Sequence, residues 1–232
     1  MDPLKLKVRK GLETLFAIYK DKGITSIYLY GSITGPDFDP ENSDIDSIAI
    51  ARTSTPMSLE KEMIDFLSET CPDIPHFGTR ILYYEELQTA QSRGSSLTTY
   101  LPPEALLLDL PYWEYIVGEK LNPNDLAPVS YQEGLEAMKG VLRKWHWEDN
   151  SLVTPDKAGN YLKVIARAIW MIDGLKQNTY PFSYSVLAKR TDEYASLANS
   201  ILEIKKNNWS YEAFFAQKDL FQVFVLNILS SQ

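Results

Sequence analysis

Cysteine and histidine are scarce in this sequence, with one cysteine and two histidines among 232 residues. The single thiol, Cys71, cannot close a disulfide within the chain and cannot build a zinc site by itself. Because only His76 and His146 are available, a metal site made of several histidines is excluded as well. This cysteine usage fits a reducing compartment, so we expect a cytoplasmic protein.

Long apolar runs are also absent. The first ten residues carry four Lys or Arg and no hydrophobic stretch of signal-peptide length. The longest apolar runs, such as residues 105–108, fall far short of the roughly 20 residues that cross a bilayer. Acidic residues outnumber basic residues by 31 to 23, which gives a net charge of −8. Such a chain repels nucleic acid and anionic membranes, so we expect neither as a partner.

The predicted elements divide the chain into two parts. Residues 1–122 mix helical and extended patterns, whereas only helical patterns follow the Asn122–Asn124 segment. We therefore predict an α/β domain over residues 1–122 and an all-α domain over residues 123–232. Strands are expected at 26–30, 45–51 and 79–84. Helices are expected at 4–22, 58–69, 85–92, 130–147, 155–176, 192–206 and 211–229.

One segment carries side chains that are suited to chemistry. The first predicted strand ends in Gly31–Ser32, where the glycine lets backbone amides approach a ligand and the serine adds a hydroxyl. After an eleven-residue loop, Asp44 and Asp46 open the second strand, and alternation places both carboxylates on one face. Two carboxylates beside a phosphate cradle suit a Mg²⁺ ion held between the protein and nucleotide phosphates. Each half of the pattern is common, and their combination makes it specific.

This pattern, Gly31–Ser32 followed by Ser43–Asp46, resembles the signature of the DNA-polymerase-β-like nucleotidyltransferase superfamily. With a helical second domain, the layout is similar to that of the aminoglycoside (streptomycin and spectinomycin) adenylyltransferases. The resemblance implies a small mixed sheet with ATP or another NTP at its open face, bound with two Mg²⁺ ions. A substrate hydroxyl would attack the α-phosphorus and displace pyrophosphate, while the metal polarises the phosphate.

The resemblance also assigns roles to individual residues. Asp44 and Asp46 would hold the metal and carry catalysis. In the adenylyltransferases, an arginine of the helical domain contacts the ATP phosphates, within the pattern Asn-x₅-Ala-Arg followed closely by Trp. Asn160 and Arg167 match that pattern here, with one extra residue before Trp170. The residues expected to contact the nucleotide are Gly31, Ser32, Ser43 and Arg167.

The sequence departs from the family pattern at two places. The superfamily usually has a third carboxylate on the next core strand, where this chain has Gly78. We expect Glu85, ahead of Asp73, to act as the third catalytic carboxylate, although an acid at a helix N-terminus needs no further explanation. The family's lysine in the helical domain corresponds to the stretch 180–183, which contains no lysine.

Several other candidates have simpler structural interpretations. Arg80 shares a face with Gly78, and a surface arginine on an edge strand is favoured over a phosphate contact. The segment 93–96 looks like a phosphate loop, but a helix end with its cap explains it. The residues Trp145–Trp147, with His146 as a conceivable base, are better explained by aromatic packing. Asp156 and Asp173 lie in the helical domain, where the drug-modifying relatives place acids against cationic substrates, although Asp156 is first of all a helix-start residue.

The sequence predicts an enzyme, an NTP-dependent nucleotidyltransferase. It would move a nucleoside monophosphate, with AMP as the first candidate, to a hydroxyl of a small, aminoglycoside-like acceptor. The net charge of −8 is compatible with a cationic acceptor. Two alternatives stay open: a catalytically silent nucleotide-binding module, and an antitoxin-type or protein-modifying nucleotidyltransferase with a protein partner. The oligomeric state is left open.

Overall fold

The computed structural model describes residues 3–40, 43–74, 76–99, 101–144 and 154–230. These residues form two compact units, 1–128 and 129–232, whereas the sequence-based boundary lies after residue 122. Trp145–Trp147, with His146, and the side chain of Asp156 lie outside the described residues. Within the described ranges, no helix has the length and hydropathy needed to cross a membrane.

The first unit is built on a four-stranded mixed sheet with the strand order β3-β2-β1-β4. Its strands are β1 (Ile24–Tyr30), β2 (Ile45–Ala51), β3 (Phe77–Tyr83) and β4 (Glu114–Gly118). β1 pairs antiparallel with β2 and β4, while β2 and β3 are parallel. The helices of this unit are α1 (Pro3–Tyr19), α2 (Leu59–Thr70), α3 (Tyr84–Thr89) and α4 (Pro103–Asp109). The predicted mixed sheet is confirmed, and β4 and α4 are additional elements.

Both faces of the sheet are buried, but by different partners. One face, which includes Ala49, forms a core with apolar side chains of α1 and α2 such as Leu12. On the other face, Ile48 and its neighbours pack against Trp113 and the segment around α4. Asp46 lies two residues before Ile48 on β2, so its side chain is on this second face. The register is well defined because a shift of one residue would exchange the two faces.

A charged side chain binds backbone groups at each edge of the sheet. At the β3 edge, the Glu60 carboxylate accepts hydrogen bonds from the Ile81 backbone N–H (2.9 Å) and the Arg80 guanidinium (2.8 Å). At the β4 edge, the Arg9 guanidinium donates to the backbone carbonyls of Tyr115 and Ile116, both at 3.4 Å. Arg80 is thus an edge-strand arginine held by Glu60, which is the interpretation that the sequence favours.

A buried carboxylate organises the loop after α3. Glu86 is fully buried and accepts hydrogen bonds from the backbone N–H groups of Tyr83, Arg93 and Ser95 and from the Thr98 hydroxyl. The amide groups of this loop therefore bind an anion that the protein itself supplies. This arrangement supports the helix-end interpretation of the segment 93–96 over a phosphate loop.

In its described residues the second unit contains only helices. Its central helix, α6 (Pro155–Leu175), is mostly apolar between residues 161 and 172 and is buried there on most sides. The predicted helix 211–229 is in fact two helices, because the chain turns at residues 216–217. The helices are α5 (Tyr131–Lys144), α6 (Pro155–Leu175), α7 (Tyr184–Leu187), α8 (Ala195–Lys206), α9 (Tyr211–Phe215) and α10 (Lys218–Ser230).

A buried ion pair ties α6 to the segment that follows α7. The carboxylate of Asp173 pairs with the Arg190 guanidinium, and these side chains are only 9% and 6% exposed. The Tyr180 hydroxyl donates to the same carboxylate, while Arg190 Nε donates to Asp192 over 2.9 Å. Asp173 is therefore an internal partner of Arg190 rather than an acid that faces a cationic substrate.

Removal of the buried carboxylate should destabilise the first unit. We expect Glu86→Ala to lower the free energy of unfolding by about 3 kcal/mol, because each buried donor left without a partner costs about 1–3 kcal/mol. Gln88→Ala, an exposed position in the same helix, should change it by less than about 0.5 kcal/mol. Urea denaturation followed by circular dichroism measures both values, and equal stability of the two variants would contradict the structure.

The contact between Arg190 and Asp192 predicts a dependence of stability on pH. The hydrogen bond from Arg190 is the main cause that holds the pKa of Asp192 below its ordinary value. A lowered pKa stabilises the fold above the unfolded pKa of about 3.9, and this contribution disappears as the pH falls through the folded pKa. The stability advantage of the natural protein over Asp192→Asn should therefore be full at about pH 6 and shrink below about pH 4. Thermal denaturation across this range tests it, and a constant difference would be evidence against the pair.

Candidate active site

The Gly-Ser turn and the aspartate pair meet at one end of the sheet. A single 3₁₀ turn, Gly31–Thr34, follows the last residue of β1. Because β1 and β2 are antiparallel, Tyr30 lies opposite Asp46. The two halves of the motif are separated by a loop in the sequence, and strand pairing makes them neighbours in space.

Gly31 allows the backbone of this turn to lie against a carboxylate. Its φ angle is +76°, a left-handed conformation that residues with a Cβ rarely adopt. A Cβ built on Gly31 would stand 3.5 Å from Oδ2 of Asp46. The turn therefore presents backbone and the half-buried Asp46 side by side, in the order that the motif predicts.

The loop between the two strands is held by Ser43. Its hydroxyl accepts a hydrogen bond from the Asp39 N–H (3.0 Å), and its own N–H donates to the Asp39 carbonyl (2.8 Å). This turn delivers the exposed Asp44 immediately before β2. Ser43, which we expect at the nucleotide, thus has a structural role in positioning Asp44. Ser32 is half-buried, and its carbonyl accepts the Gly35 N–H over 3.0 Å.

Gly78 lies directly beside Asp46. The two residues are opposite each other in the parallel β2–β3 pair, so side chains at both positions would share one face. The Ser47 hydroxyl donates to the Gly78 carbonyl over 3.0 Å and fixes the backbone there. A Cβ on Gly78 would meet no atom within 4 Å. The place expected for a third carboxylate is therefore open space.

Glu85 does not join the aspartates. Its carboxylate accepts hydrogen bonds from the N–H (3.2 Å) and the hydroxyl (3.1 Å) of Thr53, which follows the end of β2. Asp46 lies near the start of that strand, and five residue steps separate it from the strand end, a distance of about 16 Å. The expectation that Glu85 supplies the third catalytic carboxylate is corrected by this geometry, because β3 runs parallel to β2 and carries Glu85 away.

Asp73 does not replace Glu85. It pairs with Lys7 of α1, the helix on the opposite face of the sheet from Asp46. In the described part of the chain, no group of three or more His, Cys, Asp or Glu side chains is placed to hold a metal ion. Asp44 and Asp46 suit one Mg²⁺ ion that takes its remaining oxygen ligands from phosphates and water.

Arg167, the nucleotide contact expected from the helical domain, is buried in the middle of α6. Its residue surface is 6% exposed, and its guanidinium carbon lies 4.4 Å from the centre of the Phe182 ring. An ordinary surface arginine would be solvated, so this position is unusual for its residue type. Its role as a phosphate contact stays a prediction.

An open cavity of about 700 Å³ lies at the other end of the sheet, where β1 begins and β2 ends. Lys20, Gly23, Arg52 and Glu119 are among the residues that line it. The length of β2 separates this cavity from Asp46, so it is not part of the candidate site.

No protein-family model and no curated protein sequence matches this chain. One similar solved structure is the spectinomycin adenyltransferase AAD(9) from Enterococcus faecialis, with ATP and spectinomycin. The TM-score is 0.52 at 10% sequence identity, and the match covers 85% of this chain and 88% of that chain. At this identity the likeness defines the fold. The chain therefore has the fold of the aminoglycoside adenylyltransferase-like nucleotidyltransferases.

Proposed function

We propose that this protein is an NTP-dependent nucleotidyltransferase that uses Mg²⁺ and moves AMP, or another nucleoside monophosphate, to a hydroxyl of a small acceptor. The observation that carries the proposal is the pairing of Tyr30 with Asp46, which brings the left-handed Gly31 against the Asp46 carboxylate. A fold shared with an adenyltransferase that was solved with ATP supports it.

In this proposal, the metal ion and the nucleotide phosphates are bound by different residues. Asp44 and Asp46 bind the metal ion, and Gly31 and Ser32 receive the nucleotide phosphates through backbone amides and a hydroxyl. Arg167 adds positive charge from the helical domain. Bound Mg²⁺ supplies charge neutralisation and polarises the α-phosphate.

Gly78 limits the rate of this reaction. Since no carboxylate stands beside Asp46 on β3, the proton of the attacking hydroxyl passes to water or to a phosphate oxygen. A positioned general base contributes about 10²–10⁴-fold to a rate. Phosphoryl-transfer transition states are loose, so positioning and charge neutralisation still provide most of the catalysis. We therefore propose slow turnover.

The acceptor we propose is small and cationic, of the aminoglycoside type. The net charge of −8 attracts cations over a long range, and the structural neighbour was solved with spectinomycin. A second candidate function is nucleotide binding without transfer, which the open space at Gly78 favours. Incubation with labelled ATP, Mg²⁺ and an aminoglycoside panel separates the two, because only the enzyme releases pyrophosphate.

Removal of the aspartate charges tests the metal site. Asp44→Asn combined with Asp46→Asn should abolish the Mg²⁺-dependent part of ATP binding, because neutral amides do not hold the ion between protein and phosphates. Calorimetric titrations with Mg²⁺ and with EDTA measure that part. Asp21→Asn, at an exposed aspartate of the same unit, should leave it unchanged. Unaltered Mg²⁺-dependent affinity in the double variant would remove these residues from the site.

A carboxylate placed beside Asp46 tests the role of Gly78. Gly78→Glu should raise the rate of pyrophosphate release by about tenfold or more, since the new side chain enters open space and a positioned base contributes about 10²–10⁴-fold. Gly78→Gln has nearly the same size without the charge and should produce no gain.

The pattern of the two variants decides between the candidates. If the natural protein releases pyrophosphate at a measurable rate and Gly78→Glu increases it, the slow enzyme is supported. If the natural protein releases none and only Gly78→Glu is active, the natural protein is the silent module. Loss of activity in both variants would show that a ligand needs the space beside Asp46, and the proposed slow turnover for lack of a base would then be wrong.

A further inference from the structure

Four aromatic rings form a continuous row in the second unit. Trp170, Phe182, Tyr184 and Trp209 lie edge to face in that order, with neighbouring ring centres 6.0, 5.0 and 5.7 Å apart. Trp170 is fully buried, and the other three rings are half-buried. This aromatic row therefore runs from the core of the unit to its surface.

Three of these rings each carry a cation. The guanidinium of Arg167 lies over Phe182 at 4.4 Å, and Nζ of Lys205 lies 5.5 Å from the centre of Tyr184. At the outer end, Nζ of Lys163 lies 5.4 Å from the centre of Trp209. Attraction between a cation and the face of a ring orients the charged groups.

The rings leave the charges of Lys163 and Lys205 in place. Some basic residues of the unit pair with carboxylates, such as Lys176 with Asp192 (3.4 Å) and Lys206 with Glu203 (2.8 Å). By contrast, no carboxylate in the described ranges forms an ion pair with Lys163 or Lys205. The outer part of the row is thus a locally cationic surface on a chain whose net charge is −8.

Trp209 is held in an uncommon backbone conformation. Asn208 and Trp209 have φ angles of +52° and +57°, and the Trp209 N–H donates to the Ile204 carbonyl over 2.9 Å to close α8. The indole lies against α6, because a Cβ on Gly159 would stand 3.2 Å from its Cγ. Left-handed conformations of bulky residues are strained and persist where the surroundings enforce them.

We propose that Lys163 and Lys205, placed by Trp209 and Tyr184, form a binding site for a polyphosphate chain. Two ammonium groups on adjacent rings suit a ligand with several negative oxygens, since lysine binds phosphate as a mobile point charge. A cationic acceptor is repelled by the same surface. Either inorganic polyphosphate or the triphosphate of a nucleotide has this chemistry, and only the second source rests on the function proposed above.

The test uses the full-length protein in EDTA, so that the aspartate pair holds no metal. Sodium tripolyphosphate is titrated by calorimetry into the natural protein and into the variant Lys163→Gln with Lys205→Gln. We expect this variant to bind about tenfold more weakly or worse, because two charged contacts are lost. The control, Lys157→Gln with Lys189→Gln, removes the same charge from exposed positions of the same unit and should stay within about twofold.

Two further titrations identify the source of the phosphate. ATP and adenosine are compared under the same metal-free conditions. If the natural protein binds ATP but not adenosine, and the lysine variant loses ATP binding, the result supports a nucleotide triphosphate as the ligand. If the natural protein binds tripolyphosphate but not ATP, the result supports inorganic polyphosphate. Binding of adenosine as tight as that of ATP, with no binding of tripolyphosphate, would overturn the proposal.

The outcome is separable from that of the metal site. Asp44→Asn with Asp46→Asn should bind tripolyphosphate like the natural protein in EDTA, even if it loses Mg²⁺-dependent ATP binding. If the lysine variant binds tripolyphosphate as tightly as the natural protein, or if the control pair weakens it equally, the polyphosphate site is wrong and the proposed transferase is unaffected.

Discussion

The register of β2 between its two neighbours is the constraint on which the candidate active site depends. β2 is hydrogen-bonded along both edges and buried on both faces, so its position has no freedom to slip. That register sets Asp46 between Tyr30 and Gly78 and so determines what stands beside the carboxylate. A shift of one residue would turn Asp46 into the core against α1 and α2. The apolar residues of this strand are therefore as necessary to the site as the aspartates.

Several carboxylates of this acidic chain are used inside the protein. Glu60 binds the backbone and side chain of the β3 edge, Glu86 binds the loop after α3, and Asp173 binds Arg190. Each replaces water as the partner of buried donors, which is why such groups are tolerated away from solvent. The number of acids in the sequence therefore overstates how many are available to a metal ion. At the candidate site, Asp44 and Asp46 remain.

Much of the first unit could be predicted from local sequence, because its strands are β-branched and its helices amphipathic. β2 has the predicted limits of residues 45 and 51, and Gly31 lies where the motif requires it. β4 was missed because it is short and its pairing partner, β1, lies more than 80 residues earlier. The division of α9 from α10 was missed because the apolar pattern continues through the turn.

Two features of the protein could not be predicted from local sequence: the position of Glu85 and the aromatic row of the second unit. Glu85 follows a strand, and the sequence does not say that this strand runs parallel to β2, which sends the carboxylate to the far end of the sheet. The aromatic row joins α6, α7 and the end of α8, so no local pattern announces it. One signal was visible all the same: Lys163 and Arg167 lie one turn apart within residues 161–172, which are otherwise apolar or aromatic. Charged side chains are uncommon in such a segment unless they have a specific partner.

The side chains that bind the edges of the sheet bear on how copies of this chain can associate. An exposed strand edge is a template on which another chain can add a strand. Here an acid covers a donor on β3 and a base covers acceptors on β4, so the edges carry opposite charges that match their own backbone groups. An incoming strand would have to displace Glu60 or Arg9 before it could pair. Association by addition of a strand at either edge is therefore disfavoured, because it would cost these hydrogen bonds.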